Sequence, residues 1–274
     1  MRKWLSGLLV FMLLVSLIIL PASAEEYGKG EVAFTQEAAD EIVGEIIDGP
    51  LAPKVPEGMD KVILGADNRI TVSNPSEYPY SAIAYMEMNY KCGCQGSGTG
   101  FLVGEEDTLF TAAHCVVCSD HGEWADGITF YFGFKNHRNY LYKYNSNWYA
   151  YAGTTFPDKQ YSIYGDYAVI KLYENVSDYT GSFGAWWNMD DSSLASQMIY
   201  AAGYRDGYIR YDQGYVNGRG DHIQHWMDTV AGNSGCPLFT TDYYAVGIHI
   251  GGNDQYNNAC RLNNDVWELY DLLK

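Results

Sequence analysis

The sequence predicts an all-β body over residues 62–274, sized for two antiparallel barrels and closed by one C-terminal helix. Three observations predict it. From Val62 onward, runs of Tyr, Val, Ile, Phe and Thr alternate with clusters of Gly, Asn, Asp and Ser, the pattern of short strands joined by turns. Clear helical periodicity within this body is confined to its last stretch. The length of this span matches two small closed sheets rather than one.

The elements follow in chain order. Arg2 and Lys3 precede an apolar run from Leu8 to Leu20, broken only by Ser16, and Ala22-Ser23-Ala24 offers a small-residue cleavage site. This reads as a secretory signal over residues 1–24, because the run is too short to span a bilayer and a processing site follows directly. Residues 25–61 are acidic and contain no Cys or Trp. Ile42, Val43, Ile46 and Ile47 recur at helical spacing, which predicts one amphipathic helix around 35–47. Pro50, Pro53 and Pro56 then impose an extended linker, and the whole segment reads as a propeptide. Strands are expected over 81–90, 100–103, 108–112, 128–134, 167–172, 198–203, 237–240 and 245–250, with hairpins across the Tyr-rich stretch 140–164. The terminal helix is expected over 265–273. Asp265 would cap it, Glu268 would complete an acid-x-x-Glu box, and Val266, Leu269, Tyr270 and Leu273 would form its apolar stripe.

Charge narrows the partners. With 17 basic and 34 acidic residues the net charge is −17, which argues against nucleic acid, where a basic face is needed. The expected product is a soluble, secreted, extracellular monomer with no membrane attachment once the signal is removed. Export also permits disulfides among the six cysteines. Cys92 and Cys94 form a C-x-C pair, and Cys115 and Cys118 a C-x-x-C pair. Two readings of these four stay open: two disulfides, or a tetrahedral zinc site made of all four cysteines. Export favours disulfides, so no metal and no cofactor is assigned. Cys236 and Cys260 are expected to bridge adjacent strands behind the serine loop.

The chemistry lies in three segments. Gly232-Asn233-Ser234-Gly235-Cys236-Pro237 holds a serine between glycines, in a turn where its hydroxyl can be exposed. A serine hydroxyl is a weak nucleophile and needs an adjacent base. His114, in Thr111-Ala112-Ala113-His114-Cys115, can take its proton at neutral pH and return it to a leaving amine. The imidazole in turn needs a carboxylate to fix its tautomer. Asp166 is preferred because it opens an apolar strand, whereas its competitor Asp158 is flanked by proline and lysine in a loop. The N–H groups of Gly232 and Ser234 would converge on a developing oxyanion. Such a constellation acts on protein or peptide substrates.

These segments resemble the trypsin-like serine proteases, and among them the bacterial glutamyl endopeptidases. The closer likeness lies in Val62-Ile63-Leu64-Gly65-Ala66-Asp67-Asn68-Arg69, Tyr78-Pro79-Tyr80-Ser81-Ala82-Ile83, Met227-Asp228-Thr229 and Gly247-Ile248-His249-Ile250-Gly251-Gly252. The resemblance implies a chymotrypsin-like fold of two six-stranded antiparallel β-barrels with the active site between them. It also implies a preference for glutamate before the cleaved bond. Thr229 and His249 would bind the substrate carboxylate, with help from a free Val62 amine exposed by cleavage after Lys61. A buried carboxylate needs such donors. Gly251 and Gly252 would leave room for the substrate to pair as an added strand. Two departures stand out. Asn233 replaces the aspartate that usually pairs with a new N-terminus, and the usual partner of the cysteine after the histidine would fall near Thr99, where there is none.

Overall fold

A computed structural model of the chain describes residues 29–30, 63–104, 107–153 and 165–273. The signal, the helix around 35–47, Val62 and Asp158 lie outside the described residues. The strands of the N-terminal half are β1 (Lys29–Gly30), β2 (Ile70–Thr71), β3 (Ile83–Tyr90), β4 (Gln95–Val103), β5 (Thr108–Thr111), β6 (Ala125–Phe132), β7 (Tyr142–Tyr144), β8 (Trp148–Ala152) and β9 (Ala168–Leu172). Those of the C-terminal half are β10 (Gly184–Ala185), β11 (Ile199–Arg205), β12 (Tyr208–Gly214), β13 (Val216–Arg219), β14 (His222–His225), β15 (Pro237–Thr240), β16 (Tyr244–Gly252) and β17 (Asn257–Arg261). Four α-helices are described: α1 (Ala113–Val116), α2 (Ser177–Thr180), α3 (Asp191–Ser196) and α4 (Asn264–Leu273).

The strands form two sheets. The first runs β1-β8-β9-β5-β4-β3-β6-β7, and the second β13-β14-β17-β16-β15-β11-β12-β2, with β10 lying parallel to β16. The additions to the expected six strands per sheet are short: β1 and β7 at the edges of the first, β2 and β13 at the edges of the second, and β10 against the start of β16. Phe101, Phe110, Phe130, Phe132 and Tyr204 are fully buried in the core. Each such side chain contributes about 1.5–3 kcal/mol of transfer free energy.

Helix α4 begins one residue earlier than expected and buries the expected stripe of Val266, Leu269, Tyr270 and Leu273. Its cap is Asn263 rather than Asp265: Asn263 Oδ1 accepts from the amides of Asp265 (3.1 Å) and Val266 (3.2 Å).

Two expectations about cysteines are corrected. None of the six is joined in a disulfide. Pro237 on β15 pairs with Ile248 on β16, which pairs with Cys260 on β17, so β16 separates Cys236 from Cys260. Two ladder spacings, about 9.5 Å, exceed the Cα separation a disulfide can span. Cys115 also stands apart from Cys92, Cys94 and Cys118. It lies in the core with its Sγ 3.6 Å from the Ser234 carbonyl oxygen.

Candidate active site

Strand pairing brings Asp166 and His114 together. β5 and β9 are antiparallel, with Thr111 opposite Ala168. His114 follows the end of β5 and Asp166 precedes the start of β9, so both issue from the same end of one ladder. Helix α1 turns the chain just after β5 and buries the histidine. His114 Nδ1–H donates to Asp166 Oδ2 over 2.7 Å, and the His114 amide donates to Asp166 Oδ1 over 3.0 Å. Both side chains are fully buried. Burial alone disfavours the imidazolium. The Asp166 carboxylate, and after it Cys115, outweigh burial and carry His114 well above an ordinary histidine.

The serine turn reaches this pair from the second sheet. Thr99 on β4 fastens it: the Thr99 amide donates to the Ser234 carbonyl (2.9 Å), and Thr99 Oγ1 donates to the Gly232 carbonyl (2.8 Å) while accepting from the Tyr204 amide (3.0 Å). The turn demands glycine at Gly235. Its φ is +84°, and a Cβ there would stand 2.1 Å from the Thr99 carbonyl oxygen. The Asn233 amide bonds the Val230 carbonyl and the Gly235 amide bonds the His249 carbonyl. By contrast, the Gly232 and Ser234 amides donate to no group among the described residues. Those are the two donors expected for an oxyanion.

Asn233 is consumed within the loop. Its Oδ1 accepts from the Val230 amide (2.8 Å) and its Nδ2 donates to the Tyr204 carbonyl (3.2 Å). The segment from Leu64 to Asn68 is held by buried Asp228, whose two carboxylate oxygens accept from the amides of Leu64 and Asn68, each at 2.8 Å. The Asp228 amide donates to Asp212 Oδ2 (2.7 Å). The segment that follows Val62 is therefore anchored one residue from Thr229.

Thr229 Oγ1 is buried with no hydrogen-bond partner among the described residues. An unsatisfied buried hydroxyl costs about 1–3 kcal/mol, so Thr229 Oγ1 is a candidate contact for a bound group. His249, on β16, is also buried, and its Nδ1 lies 3.2 Å from His225 Nε2 on β14. Burial, and then the proximity of His225 and His114, hold His249 well below an ordinary histidine. Burial likewise lowers His225 to about 3, against a smaller opposing effect from the Met227 backbone. Both are neutral at neutral pH. His249 still bonds the serine turn, its amide to the Cys236 carbonyl and its carbonyl to the Gly235 amide; beyond it, among the described residues, strand β16 is paired on its β17 side only, with a bulge between His249 and Gly251. Ile250 to Gly252 thus present an open backbone edge beside the serine turn.

The expected residues His114, Asp166, Ser234, Gly232, Thr229, His249, Gly251 and Gly252 therefore converge on one region, while Val62 lies outside the described residues. Thr99, His225 and the anchoring role of Asp228 are additions that sequence reasoning missed. Thr99 and His225 carry no sequence signal of their own. Asp228 stands within the Met227-Asp228-Thr229 motif, but nothing local links it to a segment 160 residues away.

Residues 98–248 match the trypsin-like peptidase domain. The glutamyl endopeptidase of Bacillus licheniformis is 26% identical over 269 residues, covering 89% of this chain and 79% of that protein. The extracellular metalloprotease of Bacillus subtilis is 30% identical over 224 residues, covering 75% of this chain and 67% of that protein. The solved structure of Glu endopeptidase in complex with MPD superposes with a TM-score of 0.67 at 22% identity, over 77% of this chain and 98% of that one. The chain therefore belongs to the trypsin-like peptidase family, where it is a chymotrypsin-fold serine endopeptidase related to the glutamyl endopeptidases.

Proposed function

We propose that the protein is an exported endopeptidase that cuts after glutamate, and less readily after aspartate. Ser234 Oγ attacks the peptide carbonyl while His114 takes its proton. His114 then returns the proton to the leaving amine, and water hydrolyses the acyl-enzyme by the same steps in reverse. Asp166 fixes the imidazole so that its Nε2 faces the reaction. The Gly232 and Ser234 amides receive the oxyanion, each contributing roughly 2.7–4 kcal/mol to the barrier reduction. The edge at Ile250–Gly252 pairs with the substrate backbone.

One observation carries the glutamate preference: a buried Thr229 hydroxyl without a partner; the neutral His225–His249 pair adds to it, because the His249 carbonyl is bonded by the Gly235 amide of the serine turn. If His225 donates Nε2–H to His249 Nδ1, His249 is left as the Nε2–H tautomer, a donor for a carboxylate. The Glu side chain supplies the acceptor that Thr229 lacks, and His249 borders the same carboxylate. In this reading residues 1–24 are a signal and 25–61 a propeptide. The protease of 62–274 begins at a free Val62 amine, which adds a cation near Thr229.

The test is mass-spectrometric mapping of cuts in a denatured protein, with sequencing of the mature N-terminus. Most cuts should follow Glu, a minority Asp, and Ser234→Ala should make none. Cuts spread evenly over side-chain types would refute the specificity, and full turnover by Ser234→Ala would refute the assignment of the nucleophile.

A further inference from the structure

Away from the active site, Cys92, Cys94, Cys118 and His121 offer four ligand atoms that all lie within 4.8 Å of one another. Two tight turns build the cluster. In the hairpin between β3 and β4 the Gly93 amide returns to the Tyr90 carbonyl (2.7 Å) and the Tyr90 amide to the Cys94 carbonyl (2.9 Å). After α1, the Cys118 amide bonds the Glu123 carbonyl (2.8 Å) and the Gly122 amide bonds the Cys118 carbonyl (2.7 Å). The Lys91 amide bonds the Trp124 carbonyl (3.2 Å) and joins the two turns. Each turn thus contributes two ligands at short spacing, C-x-C from one and C-x-x-H from the other.

The distances fit a metal better than a set of thiols. His121 Nδ1 lies 3.5 Å from both Cys94 Sγ and Cys118 Sγ. With Zn–S near 2.3 Å and Zn–N near 2.05 Å at a tetrahedral angle, the S···N edge is about 3.6 Å. A single ring nitrogen serves two thiols poorly, because in the neutral ring it is either a donor or an acceptor. A cation among the four satisfies all of them at once. Disulfides cannot, since three sulfurs leave one over and the fourth expected cysteine, Cys115, is held over the Ser234 carbonyl.

We propose that Cys92, Cys94, Cys118 and His121 form a closed zinc site of three thiolates and one imidazole. Four protein ligands leave no open position, which makes the role structural rather than catalytic. The site ties the β3–β4 hairpin to the loop that leaves α1. From that hairpin Tyr90 Oη donates to the Cys115 carbonyl (3.1 Å). The metal thereby braces the one short helix that carries His114. Binding free energy at such a site is folding free energy, so it would stabilise this half of the protein.

The site is independent of the substrate preference, and its test reads metal rather than turnover. The Ser234→Ala protein, purified without chelator, should carry about one equivalent of zinc by elemental analysis. Cobalt replacing that zinc should give intense visible bands of a tetrahedral ion and a sulfur-to-cobalt charge-transfer band. His121→Ala, at an exposed position, should weaken zinc by at least tenfold in a competition with a chromophoric chelator, on the order expected for disturbing a metal shell. Cys115→Ser should leave stoichiometry unchanged. A protein without zinc whose intact mass is lower by two hydrogens per bridge would overturn the proposal in favour of disulfides. Loss of zinc in Cys115→Ser with retention in His121→Ala would overturn this ligand set.

Discussion

Lowering the pH tests the buried histidine pair, and His225 sets the size of the effect. Its folded pKa is about 3, mainly because burial disfavours its charged form, whereas an unfolded histidine titrates near 6.5. Between those values the unfolded chain binds a proton that the folded chain refuses. The contribution of His225 to stability is therefore complete above about pH 6.5 and declines as the pH falls towards 3. Between pH 7.5 and pH 5 the loss is about 2 kcal/mol from His225 alone. For an ordered body of this size that corresponds to roughly 4–8 °C in Tm. The assay is urea unfolding at the two pH values, on a Ser234→Ala background that prevents self-digestion. His225→Gln keeps a side-chain donor within reach of His249 Nδ1 but cannot titrate. It should lose about 2 kcal/mol less than the parent over this interval, with His249 accounting for a residual slope. Parallel pH curves for parent and variant would refute the reasoning.

Other expectations concern catalysis and the pocket. Thr229→Val removes one hydrogen bond to a charged group, worth about 1.5–3 kcal/mol, so kcat/KM should fall roughly 10- to 150-fold on Glu peptides and little on apolar ones. Equal losses on both would remove Thr229 from the pocket. Asp166→Asn should lower kcat by about four orders of magnitude, as loss of the orienting acid does in the well-studied triads. Because His114 must be neutral to act and its pKa is raised, kcat/KM should climb with pH along a limb above 6.5, and Asp166→Asn should move that limb downward. A parent limb below 6.5 would contradict the buried carboxylate's influence. Asp228→Ala should free the segment at Leu64 and Asn68, making it sensitive to limited proteolysis and lowering Glu selectivity. An unchanged digestion pattern would show that the clamp does not hold in solution.

Local chemistry made some parts of this fold legible in the sequence and left others hidden. The strands rich in Ile, Val, Phe and Tyr were placed within a few residues, since their side chains pack directly into the core. β17 escaped notice because Asn257 and Asn258 are poor strand formers. They are tolerated there because buried Asn257 uses its Nδ2 to bond the Met227 carbonyl (2.9 Å). β12 to β14 mix polar and apolar residues without a clean period, as expected where one face is only partly covered. The proposed acid, base and nucleophile, Asp166, His114 and Ser234, stand out in the sequence because each sits at a strand end or tight turn with a recognisable local setting. The cysteines were not. Spacing grouped Cys115 with Cys118, but α1 ends at Val116 and Val117 is extended (φ −123°, ψ 124°). The chain then carries Cys118 away from Cys115 and towards His121, a pairing no short motif announces.

Asp228 and Thr229 are adjacent, yet one grips the segment from Leu64 to Asn68 and the other carries the hydroxyl assigned to the proposed pocket. If maturation starts the protease at Val62 as proposed, its own leading edge becomes a component of the surface that judges its substrates. An imprecise first cut, a residue early or late, would surface as relaxed taste rather than as silence, so maturation fidelity becomes measurable in the sequences of the fragments released.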